Sequence, residues 1–272
     1  MGSSAKEAGI LVGDVVTAVD GKSLEGMTLS EAGDLVRGKA GTKVTLTVVR
    51  GEEERNITLE RRQIQKPVAI GTMLEGKIGL VQIVNFDSRC AAETIAVIES
   101  LVDQGAEKLI FDVRNNPGGY KSELVKTLDY LLPEGLLFRS EYYDGTRLDD
   151  NSDEKCLDMP MAVLVNGDSY SAAEFFAAAL RDYDWATVVG NQTCGKGYFQ
   201  NTFELLDGSA IALSVGKYYT PGGVSLAEVG GLTPDRIVEV DEKTDAAIYA
   251  GTLDPMEDPQ ILAAIEELNA EK

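Results

Sequence analysis

The chain of 272 residues contains no histidine. That removes the side chain most often used as a general base, a proton shuttle or a metal ligand near neutral pH. A hydroxyl nucleophile in this protein needs another base. Lysine is the best one left, as in the Ser-Lys form of serine catalysis. Cysteine is scarce. Cys90, Cys156 and Cys194 are odd in number and irregular in spacing, which makes neither a disulfide framework nor a zinc pattern. They read as unpaired thiols. Cys194 is the one to watch, because it sits two residues before Lys196 of the Gly-Lys-Gly turn, whose ammonium would lower its pKa. No window of 18 or more apolar residues exists, so no membrane-spanning helix is expected. No signal peptide is visible. Met1-Gly2-Ser3-Ser4 reads as a cloning scar, so the natural chain is expected to begin upstream. Basic residues are outnumbered, 25 against 45 acidic, for a net charge of −20. That argues against sequence-independent nucleic-acid binding, which needs clustered Lys and Arg.

What is present is enough apolar residue, 44%, for a sizeable core in one large domain or two smaller ones. Residues 5–63 read as one small unit. Val15 to Val19 is a short β-branched run followed by the hairpin signal Asp20-Gly21. Thr28 and Glu31 form a capping box for a helix through Arg37, with Leu29, Ala32, Leu35 and Val36 on one face. Val44, Leu46 and Val48 alternate with threonines as a strand, and Ile57 and Leu59 belong to the next. Residues 64–75 read as a linker punctuated by Pro67.

From residue 76 strands alternate with helices, the grammar of an α/β core. Strands are expected at 78–84, 109–113, 162–165 and 186–190. Helices are expected at 91–103, with Ile95, Ile98 and Val102 inward, and at 122–132, 171–181 and 259–268.

Three segments carry chemistry. Arg114-Asn115-Asn116-Pro117-Gly118-Gly119 follows a buried strand, and its glycines permit a turn that leaves an N–H pointing into a cleft. Alone it reads as an ordinary strand-to-helix turn, since Pro-Gly-Gly turns are common. Asp168-Ser169-Tyr170-Ser171-Ala172-Ala173-Glu174 runs from a strand into a helix. Ser171 sits near a helix N-terminus, where unpaired N–H groups and the dipole favour negative charge. Ser169 or Ser171 could equally be a plain N-cap with Glu174 as its capping-box partner. In Thr193-Cys194-Gly195-Lys196-Gly197-Tyr198-Phe199-Gln200, a strand-like backbone would put Lys196, Tyr198 and Gln200 on one face. Gln200 could then hold the Lys196 amine, although a solvated turn lysine fits the same residues.

In this order and spacing the three segments resemble the carboxyl-terminal processing peptidases, the tail-specific Ser-Lys proteases. Tyr218-Tyr219-Thr220-Pro221-Gly222-Gly223, Gly231-Leu232-Thr233-Pro234-Asp235 and Gln260-Ile261-Leu262 extend the likeness along the chain. Ala8-Gly9-Ile10, Gly13-Asp14, Val19-Asp20-Gly21 and the helix after Thr28 resemble a PDZ domain that lacks its N-terminal carboxylate-binding loop. The resemblance implies an α/β fold with a crotonase/ClpP-like peptidase core at 76–272 and a partial PDZ-like α+β domain. It implies Ser171 as nucleophile, Lys196 as base and Gln200 as the residue orienting it. Ala172 and either Gly118 or Gly119 would supply oxyanion N–H groups. No cofactor or metal is expected. The partners implied are protein or peptide substrates with exposed C-terminal tails, with self-association left open, in an extracytoplasmic setting. Tyr170 and Cys194 depart from the family's usual small and aromatic residues.

A lysine base must be neutral, and a free lysine titrates near about 10.4. Burial away from carboxylates lowers that by several units, so Lys196 is expected in an apolar pocket away from Glu174. Two other readings stay open: a crotonase-like acyl-CoA enzyme, and a catalytically silent PDZ scaffold.

Overall fold

The computed structural model describes residues 4–11 and 13–270. Residues 1–3, most of the expected cloning scar, lie outside the described residues. The chain divides into two compact units, Met1–Lys66 and Pro67–Lys272. Among the described residues no helix is long and apolar enough to cross a membrane.

The small unit contains α1 (Ser4–Glu7), β1 (Val15–Val19), β2 (Lys22–Ser23), α2 (Leu29–Val36), β3 (Lys43–Arg50) and β4 (Glu53–Glu60). Its sheet has the order β2-β1-β3-β4, antiparallel throughout. Asp20 and Gly21 both have positive φ, 49° and 78°, as the two-residue hairpin requires. Val19, Val44, Leu46 and Val48 make the core. Thr28 and Glu31 cap α2 reciprocally: Glu31 accepts from the Thr28 N–H at 2.8 Å, and Thr28 Oγ1 from the Glu31 N–H at 3.3 Å. Leu35 and Val36 pack on the core, but Leu29 does not join them and is 92% exposed. It holds the first position of a short helix, where nothing among the described residues covers it.

The large unit begins with β5 (Ala69–Leu74), β6 (Ile78–Ile83), α3 (Cys90–Asp103), β7 (Lys108–Asp112) and α4 (Lys121–Leu131). There follow β8 (Gly135–Tyr142), β9 (Arg147–Ser152), β10 (Met161–Val165), α5 (Ala172–Asp182) and β11 (Ala186–Gly190). The chain ends with β12 (Tyr198–Glu204), β13 (Ala210–Tyr219), α6 (Leu226–Val229), β14 (Arg236–Ile237), α7 (Glu242–Ala250) and α8 (Pro259–Ala270).

Six strands form the main sheet in the order β14-β11-β10-β7-β6-β5. All neighbours are parallel except the edge pair β5–β6. Side chains along each strand alternate between its faces. Phe111, Val163 and Val188 join α3, α4 and α5 in one core, while Ile110, Leu164 and Val189 join α8 in another. A second sheet, β12-β13-β8-β9, is antiparallel.

Residues 69–74, expected within a linker, are instead an edge strand of the main sheet. Pro67 punctuates that stretch, but the strand begins two residues beyond it, with Gly71 inside it. A Cβ there would lie 2.7 Å from Val97 Cγ1, so the glycine admits α3 against the strand. In α3 the inward row is Cys90, Ala91, Thr94, Ile98 and Leu101; Val102, expected inward, is 39% exposed.

Candidate active site

β7, β10 and β11 are adjacent parallel strands, and each of the three chemistry-bearing segments leaves the C-terminal end of one of them. This is the end of an open α/β sheet where ligands bind. The fold therefore gathers what the sequence spreads over about ninety residues.

Hydrogen bonds stitch the first two loops together. Asn166 Oδ1 accepts from the Asn115 N–H at 3.0 Å, and Asn166 Nδ2 donates to Asn115 Oδ1 at 2.9 Å. The Tyr170 N–H donates to Asn116 O at 2.9 Å. Ser169 is fully buried; its hydroxyl donates to Val113 O at 2.8 Å and accepts from the Asn166 N–H at 3.0 Å. Of the two serines, Ser169 is therefore a loop brace.

Ser171 is the N-cap of α5, half-buried, with φ 52° and ψ −115°. Such a backbone is disfavoured for any residue with a Cβ, and strain of this kind collects at functional turns. Ser171 lines a small pocket with Gly119, Leu124, Phe138, Ala172, Phe175 and Tyr218. Lys121 sits at the same pocket but is held by Asp150 at 2.8 Å.

Gly118 lies hard against the serine turn. A Cβ on it would fall 2.7 Å from Tyr170 O, 3.0 Å from Ser171 Cβ and 3.1 Å from Ala172 N. Its N–H donates to Asn116 Oδ1 at 2.8 Å, so it is not available to a substrate oxygen. Among the described residues no protein acceptor takes the N–H of Gly119 or of Ala172. Of the two glycines, only Gly119 can serve as an oxyanion donor in this conformation.

The third loop is fixed through Glu174, which is fully buried in the first turn of α5. Its Oε2 accepts from the Ser171 N–H at 2.8 Å and the Lys196 N–H at 2.9 Å. Its Oε1 accepts from the Gly195 N–H at 2.6 Å and Thr193 Oγ1 at 2.5 Å. The backbone of Lys196 is thus beside Ser171, but its side chain is exposed and forms no hydrogen bond to Ser171 Oγ or to Gln200. The apolar pocket expected around its amine is absent in this conformation, and the expected separation from Glu174 holds for the amine but not for the main chain. Gln200 is exposed too. β12 begins only at Tyr198, so Lys196 lies outside the strand whose alternation would have aligned it with Gln200.

Cys194 also departs from expectation. Burial and the Glu174 charge push its thiol up, outweighing the lowering by Tyr170 and Lys196. Among the described residues no cluster of acidic and thiol side chains could hold a metal ion.

A family model for peptidase family S41 matches residues 77–238, and one for a PDZ domain matches residues 1–50. Over 242 residues the chain is 36% identical to a probable CtpA-like serine protease of Staphylococcus aureus (strain N315), covering 88% of this chain and 48% of that protein. It is 36% identical over 247 residues to a carboxy-terminal-processing protease of Bartonella bacilliformis, covering 86% of this chain and 56% of that protein. The solved structure of a photosystem II D1 C-terminal processing protease matches with a TM-score of 0.61 at 28% identity, over 96% of this chain and 72% of that one. A putative S41 protease from Bacteroides fragilis shares the fold, with a TM-score of 0.67 at 19% identity, over 100% of this chain and 76% of that one. The chain spans about half the length of the curated relatives it matches.

Proposed function

The chain belongs to peptidase family S41, and from that premise we propose that it is a serine endopeptidase cutting protein substrates near their C-terminal tails. In this reading Ser171 is the nucleophile, Lys196 the base, Gln200 the residue that steadies the amine, and Gly119 and Ala172 the oxyanion donors. The large unit is read as a crotonase/ClpP-like core and the small unit as a partial PDZ-like domain. The observation that carries the reading is the Ser171 turn: a strained serine at a helix N-terminus, flanked by the unengaged N–H groups of Gly119 and Ala172, above an apolar pocket.

The chemistry is a two-step acyl transfer. Ser171 Oγ bonds to the scissile carbonyl carbon while Lys196 Nζ takes the hydroxyl proton. The carbonyl oxygen becomes an oxyanion facing the Gly119 and Ala172 N–H groups, each worth roughly 3–4 kcal/mol to the transition state. The C–N bond then breaks and Lys196 returns the proton to the leaving amine. Water bonds to the ester carbon while Lys196 takes its proton, the C–Oγ bond breaks, and Lys196 returns the proton to Ser171 Oγ as the acid product leaves. Leu124, Phe138, Phe175 and Tyr218 favour a small apolar side chain on the acyl side of the cut.

Because the Lys196 amine faces solvent, this conformation is a resting one, and turnover begins with the lysine side chain turning toward Ser171. The same exposed amine favours a second reading, a catalytically silent peptide-binding protein. Cleavage of casein by the parent, Ser171→Ala and Lys196→Ala proteins separates the two. The peptidase reading expects both variants to lose roughly a thousandfold or more in rate. An inactive parent, or a Lys196→Ala protein as active as the parent, overturns it.

A further inference from the structure

Glu174 makes more bonds than a helix cap needs. Capping α5 requires one acceptor for the Ser171 N–H. Glu174 also takes three donors from the base loop: the N–H groups of Gly195 and Lys196 and the Thr193 hydroxyl. No Lys or Arg among the described residues lies within ion-pair distance of this fully buried carboxylate. A buried carboxylate without a cation is costly unless hydrogen bonds satisfy it, and here four do.

The geometry is more specific than a general brace. One oxygen, Oε2, receives both the Ser171 and the Lys196 N–H groups. The two main chains can therefore be no farther apart than those two bonds laid end to end. Gly195 is wedged on the other side of the loop: a Cβ there would lie 2.8 Å from Gly231 N. Leu232 N–H donates to Thr193 Oγ1 at 2.7 Å, fixing the loop's other end. With the backbone of Lys196 held from both sides, only its four-carbon stem is left to move.

We propose that Glu174 is a positioning residue for the Ser171–Lys196 pair: one carboxylate oxygen fixes both main chains and so sets the reach of the lysine amine to the serine hydroxyl. This rests on the Ser-Lys reading above. Glu174 touches no substrate atom and acts only through the two residues it holds.

The test compares Glu174→Gln, Glu174→Asp and Glu174→Ala with the parent, Ser171→Ala and Lys196→Ala, measuring kcat, KM and thermal melting on one peptide substrate. Glutamine can keep a carbonyl oxygen at the Oε2 position for the Ser171 and Lys196 N–H groups, and the Thr193 hydroxyl can turn to accept from its amide, while the Gly195 N–H loses its acceptor. Aspartate is one methylene too short to hold both N–H groups. The expected result is a kcat about 100-fold lower in the alanine and aspartate variants, the scale of a small misplacement of reacting groups. KM should stay within about twofold, and the glutamine variant should recover most of the rate. A purely structural role would lower melting in all three without splitting kcat from KM and without rescue by glutamine. If the alanine variant does not fold, the aspartate and glutamine variants decide alone. Folded aspartate and glutamine variants with equal, parental kcat overturn the inference while Lys196→Ala remains inactive. A Lys196→Ala protein as active as the parent overturns the underlying reading, and the inference falls with it.

Discussion

Ser171 and Lys196 donate their backbone N–H groups to the same Glu174 oxygen, at 2.8 and 2.9 Å, while their side chains make no hydrogen bond to each other. The main-chain framework of a nucleophile–base pair is therefore built, and the side-chain contact is open. Serine is held in a strained turn over an apolar pocket; lysine stands in solvent. A flexible four-carbon stem is the cheapest element to move between such states.

The close approach of Gly118 to the serine turn makes it intolerant of any side chain. Its φ of 87° and the 2.7 Å clash that a Cβ would make with Tyr170 O mean that Gly118→Ala must displace the turn. Turnover should fall about 100-fold or more, since a 1 Å shift at a reacting group costs that much. Steady-state kinetics on a folded variant checks this; parental kcat would show that the turn is not under tight constraint.

The two serines should separate stability from chemistry. Ser169→Ala strands the buried Asn166 N–H and leaves the Val113 carbonyl with only the long 3.4 Å bond from the Asn116 N–H, and should cost about 1–3 kcal/mol in urea denaturation. Ser171→Ala removes only the N-cap hydroxyl of α5, so the same measurement should show a loss of about 1 kcal/mol at most while peptide turnover disappears.

Arg114 anchors the start of the glycine loop to α8. Its guanidinium pairs with Asp112 at 2.7 Å and Asp258 at 2.8 Å, all three side chains nearly buried. Burial pulls its pKa down, but the two carboxylates outweigh that and raise it. Asp258 Oδ1 also accepts the Gln260 N–H in the first turn of α8, at 2.9 Å. Asp258→Ala should therefore destabilise by about 3–5 kcal/mol, the cost of breaking a buried pair. A change under 1 kcal/mol in urea denaturation would contradict this network as the anchor.

The small unit should carry an acid-sensitive pair. The Arg50 guanidinium, bonded to Asp14 at 2.7 Å, and the Leu11 N–H lower the Asp14 pKa from 3.8 to about 2. A depressed carboxylate stabilises the fold above its unfolded pKa and loses that contribution as pH falls through its folded value. The contribution is thus present above about pH 4 and lost toward pH 2. The urea midpoint followed from pH 5 to pH 2 should fall less steeply in Asp14→Asn than in the parent. Equal slopes would remove Asp14 from the acid response.

Much of the core was legible in the sequence because period and punctuation agreed there. Strands at β6, β7, β10 and β11, helices at α3, α4, α5 and α8, and the Thr28–Glu31 cap all had local signals. The edge strand β5 was not legible, because Pro67 punctuates the stretch before it and Gly71 inside it is a gap for α3 that shows only in three dimensions. The β8–β9 and β12–β13 hairpins were missed for a related reason: antiparallel strands such as β12 and β9 are largely exposed and polar, so alternation is weak. At the site, the grouping of three distant loops was readable as motif order, but their bonding was not. Choosing Gly119 over Gly118 needed the Asn116 side chain, and the fourfold engagement of Glu174 needed Thr193 and Gly195 in three dimensions. The state of Lys196 could not be read at all, because residue type fixes what an amine can do and not where its stem points.

The most direct test of the account is to treat the protein with a serine-reactive fluorophosphonate and locate the adduct by peptide mass spectrometry, in the parent and in Lys196→Ala. The account predicts a single adduct on Ser171 in the parent, formed at least tenfold more slowly in Lys196→Ala because the base is gone. An adduct on another serine, or equal labelling in both proteins, would contradict the Ser171–Lys196 pair.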